Sequence, residues 1–461
     1  MNLGFVESRT FDEIALGDTA RAEHVFTGDD ALAFASISGF QAVLDQGELA
    51  RRAGGEALTG PNMWCASLVS GLFSMQLPGP GVTLTGICLA FHNRIHVGDR
   101  VFVSVEVTGR DEATRQIDFA CEAHDERGAQ IFTGTAKVLA PVEKQRWSTL
   151  PVPHVIVNNS YRRYQELIAR ATARPAVRTA VAWPCDAVSL SAALEAAKDD
   201  LIVPVLVGAE TEIRRVAHEL STAMEESLSR TEIIEAADSR AAAAKAVELA
   251  RAGAVGMLMK GSLHTDELMG AVIAKESGLR AGRRISHIFA LDVPMYPKTL
   301  FVTDAAINIQ PDLETKVSIL QNAIDAMLRL GVREPKVAIL SAVESVNPAI
   351  PSTLEAAALC KMAERGQIRG AIVDGPLAFD NAISSDAARI KHIASPVAGD
   401  VDLLMVPNLE AGNILFKQLQ YLAGALAAGV VVGAKVPIVL TSRADGELAR
   451  MASCALGVLL A

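Results

Sequence analysis

The residues of this chain best suited to chemistry fall directly after apolar runs. V-P-I-V-L-T-S-R-A-D-G-E-L-A-R-M-A-S (436–453) reads as strand, short turn and helix. Ser442 and Arg443 then stand at the strand end, with Asp445 and Glu447 near the helix start. A hydroxyl, a guanidinium and open helix N–H groups together form an anion site. The plainer alternative is that Ser442 or Asp445 only caps the helix, and position alone favours this for Asp445. Arg443 asks for more, since an arginine just past a buried strand needs a carboxylate or a ligand.

Two further clusters have the same placement. In V-D-G-P-L-A-F-D-N-A (373–382), Asp374 ends an apolar run, Gly375-Pro376 turns the chain and Asp380 precedes a helix. Simple turn chemistry explains Asp-Gly-Pro equally well. In V-P-N-L-E-A-G-N-I-L-F-K (406–417), Asn408, Asn413 and the helix opening at Gly412 are suited to holding a carbonyl or a phosphate. Alternatively, Asn408 is a loop residue bonding its own backbone.

Several chemistries are disfavoured. The sequence contains neither a G-x-x-x-x-G-K-[ST] loop nor a G-x-G-x-x-G after a strand, which argues against nucleoside triphosphate hydrolysis and dinucleotide binding. No carboxylate-rich metal box appears, so no metal and no permanently bound cofactor is expected. The nine histidines are scattered, and a lone one such as His287 is more often a core or surface residue than a ligand. A net charge of −10 with interspersed signs argues against nucleic acid as a partner.

The elements that must position these residues come in two styles. From 156 onward the pattern is strand, loop, helix, as in the alanine-rich helix and apolar strand of 237–261. Strands are predicted at 180–183, 202–207, 231–234, 255–259, 286–291, 299–303, 336–341, 369–373, 401–406 and 436–441. That alternation predicts parallel α/β layers, with ligands beyond the strand carboxyl ends. So many strands predict two lobes rather than one sheet.

Residues 1–140 differ. A helix over 29–38 and an apolar helix over 63–76 precede β-rich runs at 82–91, 100–109, 115–124 and 129–139, which predicts an α+β domain. The proline-rich stretch 141–155 reads as a linker. The six cysteines are far apart and predict buried free thiols in a reducing cytoplasm. The N-terminus lacks the pattern of a signal peptide, and Leu422–Val432 is too short to span a bilayer, so a soluble protein without a membrane partner is expected.

In wording, the C-terminal part resembles the phosphate acetyl/butyryltransferase family, the butyryltransferase branch most closely. The strings are P-V-L-V-G (204–208), L-M-K-G (258–261), S-H-I-F (286–289), T-D-A-A-I-N-I-Q-P (303–311), K-V-A-I-L-S-A-V-E (336–344), D-G-P-L-A-F-D (374–380), P-N-L-E-A-G-N (407–413) and V-P-I-V-L-T-S-R-A-D (436–445). The resemblance implies a transfer of acetyl, propionyl or butyryl between coenzyme A and phosphate, with coenzyme A as substrate. It also implies two α/β lobes, about 156–282 plus 430–461 and about 283–429, commonly in a homodimer or higher homo-oligomer. Ser442 would lie near the coenzyme A sulfur and Arg443 would hold phosphate. Lys260, Asp374, Gly375, Pro376, Asp380, Asn408 and Asn413 would bind substrate. The acidic residue that the acetyltransferase branch carries seven positions after the serine is Ala449 here, leaving Asp445, then Glu447, as candidate base.

Residues 1–140 resemble the MaoC-like hot-dog hydratases through F-D-E-I-A-L-G-D (11–18), S-I-S-G (36–39), N-M-W-C-A-S-L-V-S-G-L-F (62–73) and R-I-H-V-G-D-R-V (94–101). Fusion of the two domain types resembles the bifunctional hydratase/acyltransferases. The hydratase motif S-G-D-x-N-P-x-H is S-G-F-Q-A-V-L-D here (38–45), with Phe40 at the aspartate position and Asp45 at the histidine position. Phenylalanine transfers no proton, so hydration is expected to be lost. Two alternatives stay open: retention of both activities, and a non-catalytic acyl-CoA-binding regulator.

Overall fold

A computed structural model describes residues 4–39, 59–60, 62–148, 160–275, 278–440 and 446–461. The chain forms two compact units, Met1–Val157 and Asn158–Ala461.

The first unit contains β1 (Phe5–Glu7), β2 (Thr19–Val25), β3 (Thr59–Gly60), β4 (Thr83–Phe91), β5 (Ile95–His96), β6 (Arg100–Asp111), β7 (Gln116–Asp125), β8 (Gln130–Leu139) and β9 (Arg146–Ser148). Its helices are α1 (Gly28–Ser38) and α2 (Asn62–Met75). Thr27 caps α1 by accepting the Asp30 N–H, and Gly39 ends it in the left-handed conformation that glycine allows. An antiparallel sheet in the order β2-β6-β7-β8-β4 packs on α2, a hot-dog architecture. Alternation builds its core: Val101, Val103, Val105 and Val107 face inward beside Ile117, Phe119, Cys121 and Ala123, against Val69, Leu72 and Phe73 of α2.

Both predicted helices and all four predicted strands of this unit are present. Strand β2 gave no signal, because an edge strand of composition T-A-R-A-E-H-V buries only Ala20. Within the stretch read as linker, residues 146–148 form β9, which pairs antiparallel with β1.

The second unit contains β10 (Val177–Ala182), β11 (Ile202–Gly208), β12 (Glu232–Glu235), β13 (Met257–Lys260), β14 (Ser286–Asp292), β15 (Leu300–Thr303), β16 (Lys336–Leu340), β17 (Ile372–Leu377), β18 (Leu403–Met405), β19 (Leu426–Val432) and β20 (Ile438–Val439). All eleven join one sheet, in the order β12-β11-β10-β13-β20-β19-β14-β15-β18-β16-β17. The expectation that so many strands would split between sheets is therefore corrected. So is the expectation of a parallel sheet: β14 runs antiparallel to both β15 and β19, and β19 runs antiparallel to β20. Strands on the two sides of this junction run in opposite directions. Pairing between β19 and β20 is limited to Val431 and Ile438, so the sheet is narrowest in hydrogen bonds where the two halves meet.

Every strand predicted in this unit is present, with shifted ends. Strand β19 was missed because L-A-A-G-V-V-V begins with helix-forming alanines and carries a central glycine. Among the described residues, no helix is long and apolar enough to cross a membrane. All six cysteines are free, but only Cys65, Cys121 and Cys454 are buried; Cys88 is exposed, which corrects the expectation of uniformly buried thiols.

Candidate active site

Strand ends from both halves of the large sheet open into one cleft of about 570 Å³. Lys260 enters it from the end of β13, Leu440 from just past β20, and Ala305 and Ala306 from just past β15. The start of α3 (Thr265–Ile273), with its cap residue His264, forms another wall. The floor is His287 and Phe289 of β14, and α4 (Leu409–Tyr421) adds Asn413, Phe416 and Lys417.

Local packing explains the glycine of L-M-K-G. A Cβ on Gly261 would lie 2.4 Å from the Ala182 carbonyl oxygen and 2.5 Å from that of Trp183. Only glycine lets the chain leaving β13 press against the end of β10, where its N–H donates to Ala182 O at 2.9 Å. Lys260 is thereby held almost fully buried at the cleft, its Nζ donating to Gly261 O at 3.1 Å.

His287 is buried, and its Nδ1 has no hydrogen-bond partner. Burial pushes its pKa down to about 3, so the ring is neutral at physiological pH. Its ring centroid lies 4.2 Å from that of Phe289, which stacks on Phe416 at 3.8 Å and 10°.

Of the candidate substrate-binding residues, Lys260 and Asn413 line this cleft. Asn413 Nδ2 reaches the Ala305 carbonyl at 3.4 Å. Asn408 instead caps α4, its side chain accepting the Ala411 N–H at 2.9 Å, so the plainer reading describes its contacts. The D-G-P-L cluster lies on edge strand β17, apart from the cleft lining. There Asp374 accepts the Gly375 N–H at 2.8 Å, and Gly375 carries no Cβ because one would sit 2.7 Å from Ile339 O. The Gly375-Pro376 peptide is cis. Asp380 is paired with Lys391 at 3.0 Å, and this ammonium holds its carboxyl below the usual carboxylate range.

Ser442, Arg443 and Asp445 lie outside the described residues, as do Phe40 and Asp45 of the first unit. The chain on either side of 441–445 is placed: Leu440 lines the cleft, and Gly446 is the N-cap of α5 (Glu447–Leu460). Glu447 is exposed in the first turn of α5, and Ala449 is buried. The position seven after Ser442 therefore holds a buried methyl group with no proton to exchange.

Sequence reasoning overlooked the aromatic floor. The signal was present in S-H-I-F, where positions 287 and 289 share one strand face, and in Asn413 and Phe416, three apart on one helix face.

Comparison with known proteins gives the class. Residues 229–457 match the family model described as Phosphate acetyl/butaryl transferase. The phosphate acetyltransferase of Rhizobium meliloti is 60% identical over 301 residues, covering 65% of this chain and 93% of that protein. The phosphate butyryltransferase of Clostridium acetobutylicum is 39% identical over 300 residues, covering 65% of this chain and 98% of that protein. A branched-chain phosphotransacylase from Enterococcus faecalis V583 superposes with a TM-score of 0.54 at 30% identity, over 61% of this chain and 98% of its own. The chain belongs to the phosphate acetyl/butyryltransferase family.

Proposed function

We propose that the second unit interconverts acyl-CoA plus phosphate with acyl phosphate plus coenzyme A in the cleft between Lys260 and Leu440. One observation carries the placement: Leu440 lines a cleft containing a buried lysine, and the Ser442-Arg443 pair follows it by two residues. Substrates carrying phosphate need cations, and the cleft offers Lys260 and Lys417 before Arg443 is added.

The chemistry requires little else. A thiol with an ordinary pKa of ~8.5 is only partly ionised at neutral pH. Asp445, or failing it Glu447, takes the coenzyme A proton. The thiolate attacks the acyl carbon, the carbon–sulfur bond forms, and the carbon–oxygen bond to phosphate breaks. Arg443 offsets the charge gathering on the departing phosphate, and Ser442 lies beside the sulfur. No acyl group on the enzyme is required. In this reading Asn413 meets the substrate directly and Asn408 caps the helix that carries it, while Asp374, Gly375 and Pro376 on edge strand β17 and Asp380 beyond it lie outside the cleft lining. The two lobes, about 156–282 plus 430–461 and about 283–429, meet at the β19–β20 junction. The working assembly is a homodimer or higher homo-oligomer in the cytoplasm.

The first unit keeps a hot-dog fold without its proton-transfer pair, since Phe40 and Asp45 stand where hydratases carry aspartate and histidine. It serves assembly or acyl-CoA capture instead of hydration.

The buried Ala449 favours a second reading, acyl-CoA binding without turnover. Thiol release from acetyl-, propionyl- and butyryl-CoA, measured with and without phosphate, separates the two. Phosphate-dependent release with any of them supports catalysis; binding without release at every length supports the regulator.

A further inference from the structure

The floor of the cleft is chemically unlike its rim. His287 and Phe289 project from alternate positions of β14, and Phe416 reaches them from α4. The rings lie down across β19, where Gly429 stands in register with Phe289. A Cβ at Gly429 would sit 2.7 Å from His287 Cε1 and 2.9 Å from Phe289 Cε1. A second glycine brings the helix down. A Cβ at Gly412 would meet Val406 Cγ2 at 2.7 Å and Ala305 Cα at 3.0 Å. Gly412 lies one helical turn before Phe416, so the close approach of α4 delivers that ring onto Phe289.

Two glycines thus allow an aromatic surface that carries no charge, flanked by Leu263, Leu409 and Leu440. Phosphate and pyrophosphate gain little from such rings; Lys260 and Lys417, whose Nζ lies 5.8 Å from the Phe416 centroid, serve them in the same cleft. A short alkyl chain gains about 0.8 kcal/mol for each methylene it buries. We propose that the His287–Phe289–Phe416 cluster is the surface on which the acyl chain lies, and that Phe416 limits the chain length accepted. This rests on the acyltransfer reading above and assigns the part of the cleft that selects the acyl group. Phe416 is the limiting ring because it comes from the helix, whereas His287 and Phe289 are fixed in the sheet.

The test compares kcat/KM for acetyl-, butyryl- and hexanoyl-CoA in the phosphate-dependent direction, for wild type, Phe416→Ala and Phe416→Leu. A pocket enlarged by several methylenes discriminates by about 10-fold or more between chain lengths. The butyryl-to-acetyl or hexanoyl-to-acetyl ratio is expected to rise at least about tenfold in Phe416→Ala and less in Phe416→Leu, with the KM for phosphate within about twofold. Phe416→Leu keeps an apolar side chain and decides the matter if the alanine variant does not fold. Active variants whose ratios stay within twofold of wild type overturn the acyl surface and leave the acyltransfer reading intact. A wild type without phosphate-dependent release at any chain length overturns the acyltransfer reading, and this inference with it.

Discussion

The hydroxyl of Ser453 in α5 accepts a hydrogen bond of 3.0 Å from the buried N–H of Gly429 in β19. The same hydroxyl donates to Ala449 O at 2.8 Å, one turn earlier in its own helix. One side chain therefore ties the strand beneath the aromatic floor to the helix that follows Ser442 and Arg443. It also supplies a partner to an N–H that two-residue β20, paired with β19 only at Val431, leaves to others.

Ser453→Ala would leave that buried N–H without a partner, at a cost of about 1–3 kcal/mol. Denaturant unfolding is expected to show the midpoint falling with little change in slope. A loss below about 0.5 kcal/mol would mean that the strand finds another acceptor.

Gly429→Ala tests the floor from below. Its methyl would displace both the His287 and Phe289 rings, and the added atom costs about 1–3 kcal/mol in a packed region. Acyl transfer is expected to fall more than stability alone explains, because the displaced rings enter the cleft. Wild-type turnover by a folded Gly429→Ala protein would remove these rings from the site.

Acid sensitivity should carry the mark of His287. Its pKa is about 3 in the folded chain against an ordinary 6.5, so between these values the unfolded chain binds a proton that the folded chain refuses. Stability therefore falls as pH drops below 6.5, by up to ~1.4 kcal/mol per pH unit from this group, and is unaffected by it above 6.5. His287→Phe keeps an aromatic ring and removes the titration. Its stability measured from pH 7 to pH 4 should decline less steeply than that of wild type; identical slopes would show that the imidazole gains a proton within the folded protein.

Much of this could be read from the sequence, and the failures have physical causes. The apolar alternation of β6 and β7 is the direct imprint of a sheet with one buried face, so those strands were legible. Edge strand β2, with only Ala20 buried, leaves no such imprint. Strand β19 is buried on both faces and so shows no alternation, while its alanines and glycine favour other structures. Its antiparallel course is what joins the two halves into one sheet, and missing it meant missing the junction. Site residues divided in the same way. Lys260 ends β13 and Asn413 lies in the second turn of α4, polar residues of the kind motif reading looks for. His287, Phe289 and Phe416 carry rings, and a ring on a strand or helix reads as core until tertiary packing shows an opening beside it. Asn408 accepts the Ala411 N–H and Asp380 pairs with Lys391, contacts that a sequence motif does not distinguish from substrate binding.

Arg443 is expected to matter more than Ser442 or Asp445. Removing a cation that faces charge developing on phosphate costs roughly 10²–10³-fold in turnover where the group is well placed, and at least about tenfold is expected for Arg443→Ala. The circular dichroism spectrum should be unchanged. Turnover at the wild-type rate would take Arg443 out of the active site and turn attention to Lys260 and Lys417 as the phosphate-binding cations.

Lys260 is the more demanding case, because its ammonium is nearly buried yet lines the cleft. The substrates are anionic, and an ammonium that lines the cleft is placed to meet them. Lys260→Met keeps most of the stem and removes the charge, so the fold should survive. A hydrogen bond to a charged group contributes about 1.5–3 kcal/mol, which predicts a fall in kcat/KM of roughly 10–100-fold. Lys260→Arg should not restore activity, since a planar fork does not fit the space of a compact ammonium pressed against Gly261. The decisive measurement is the KM for phosphate and for coenzyme A separately. A rise in one alone identifies which anion the lysine meets, and no change in either would make Lys260 a structural cation that only supports the turn at Gly261.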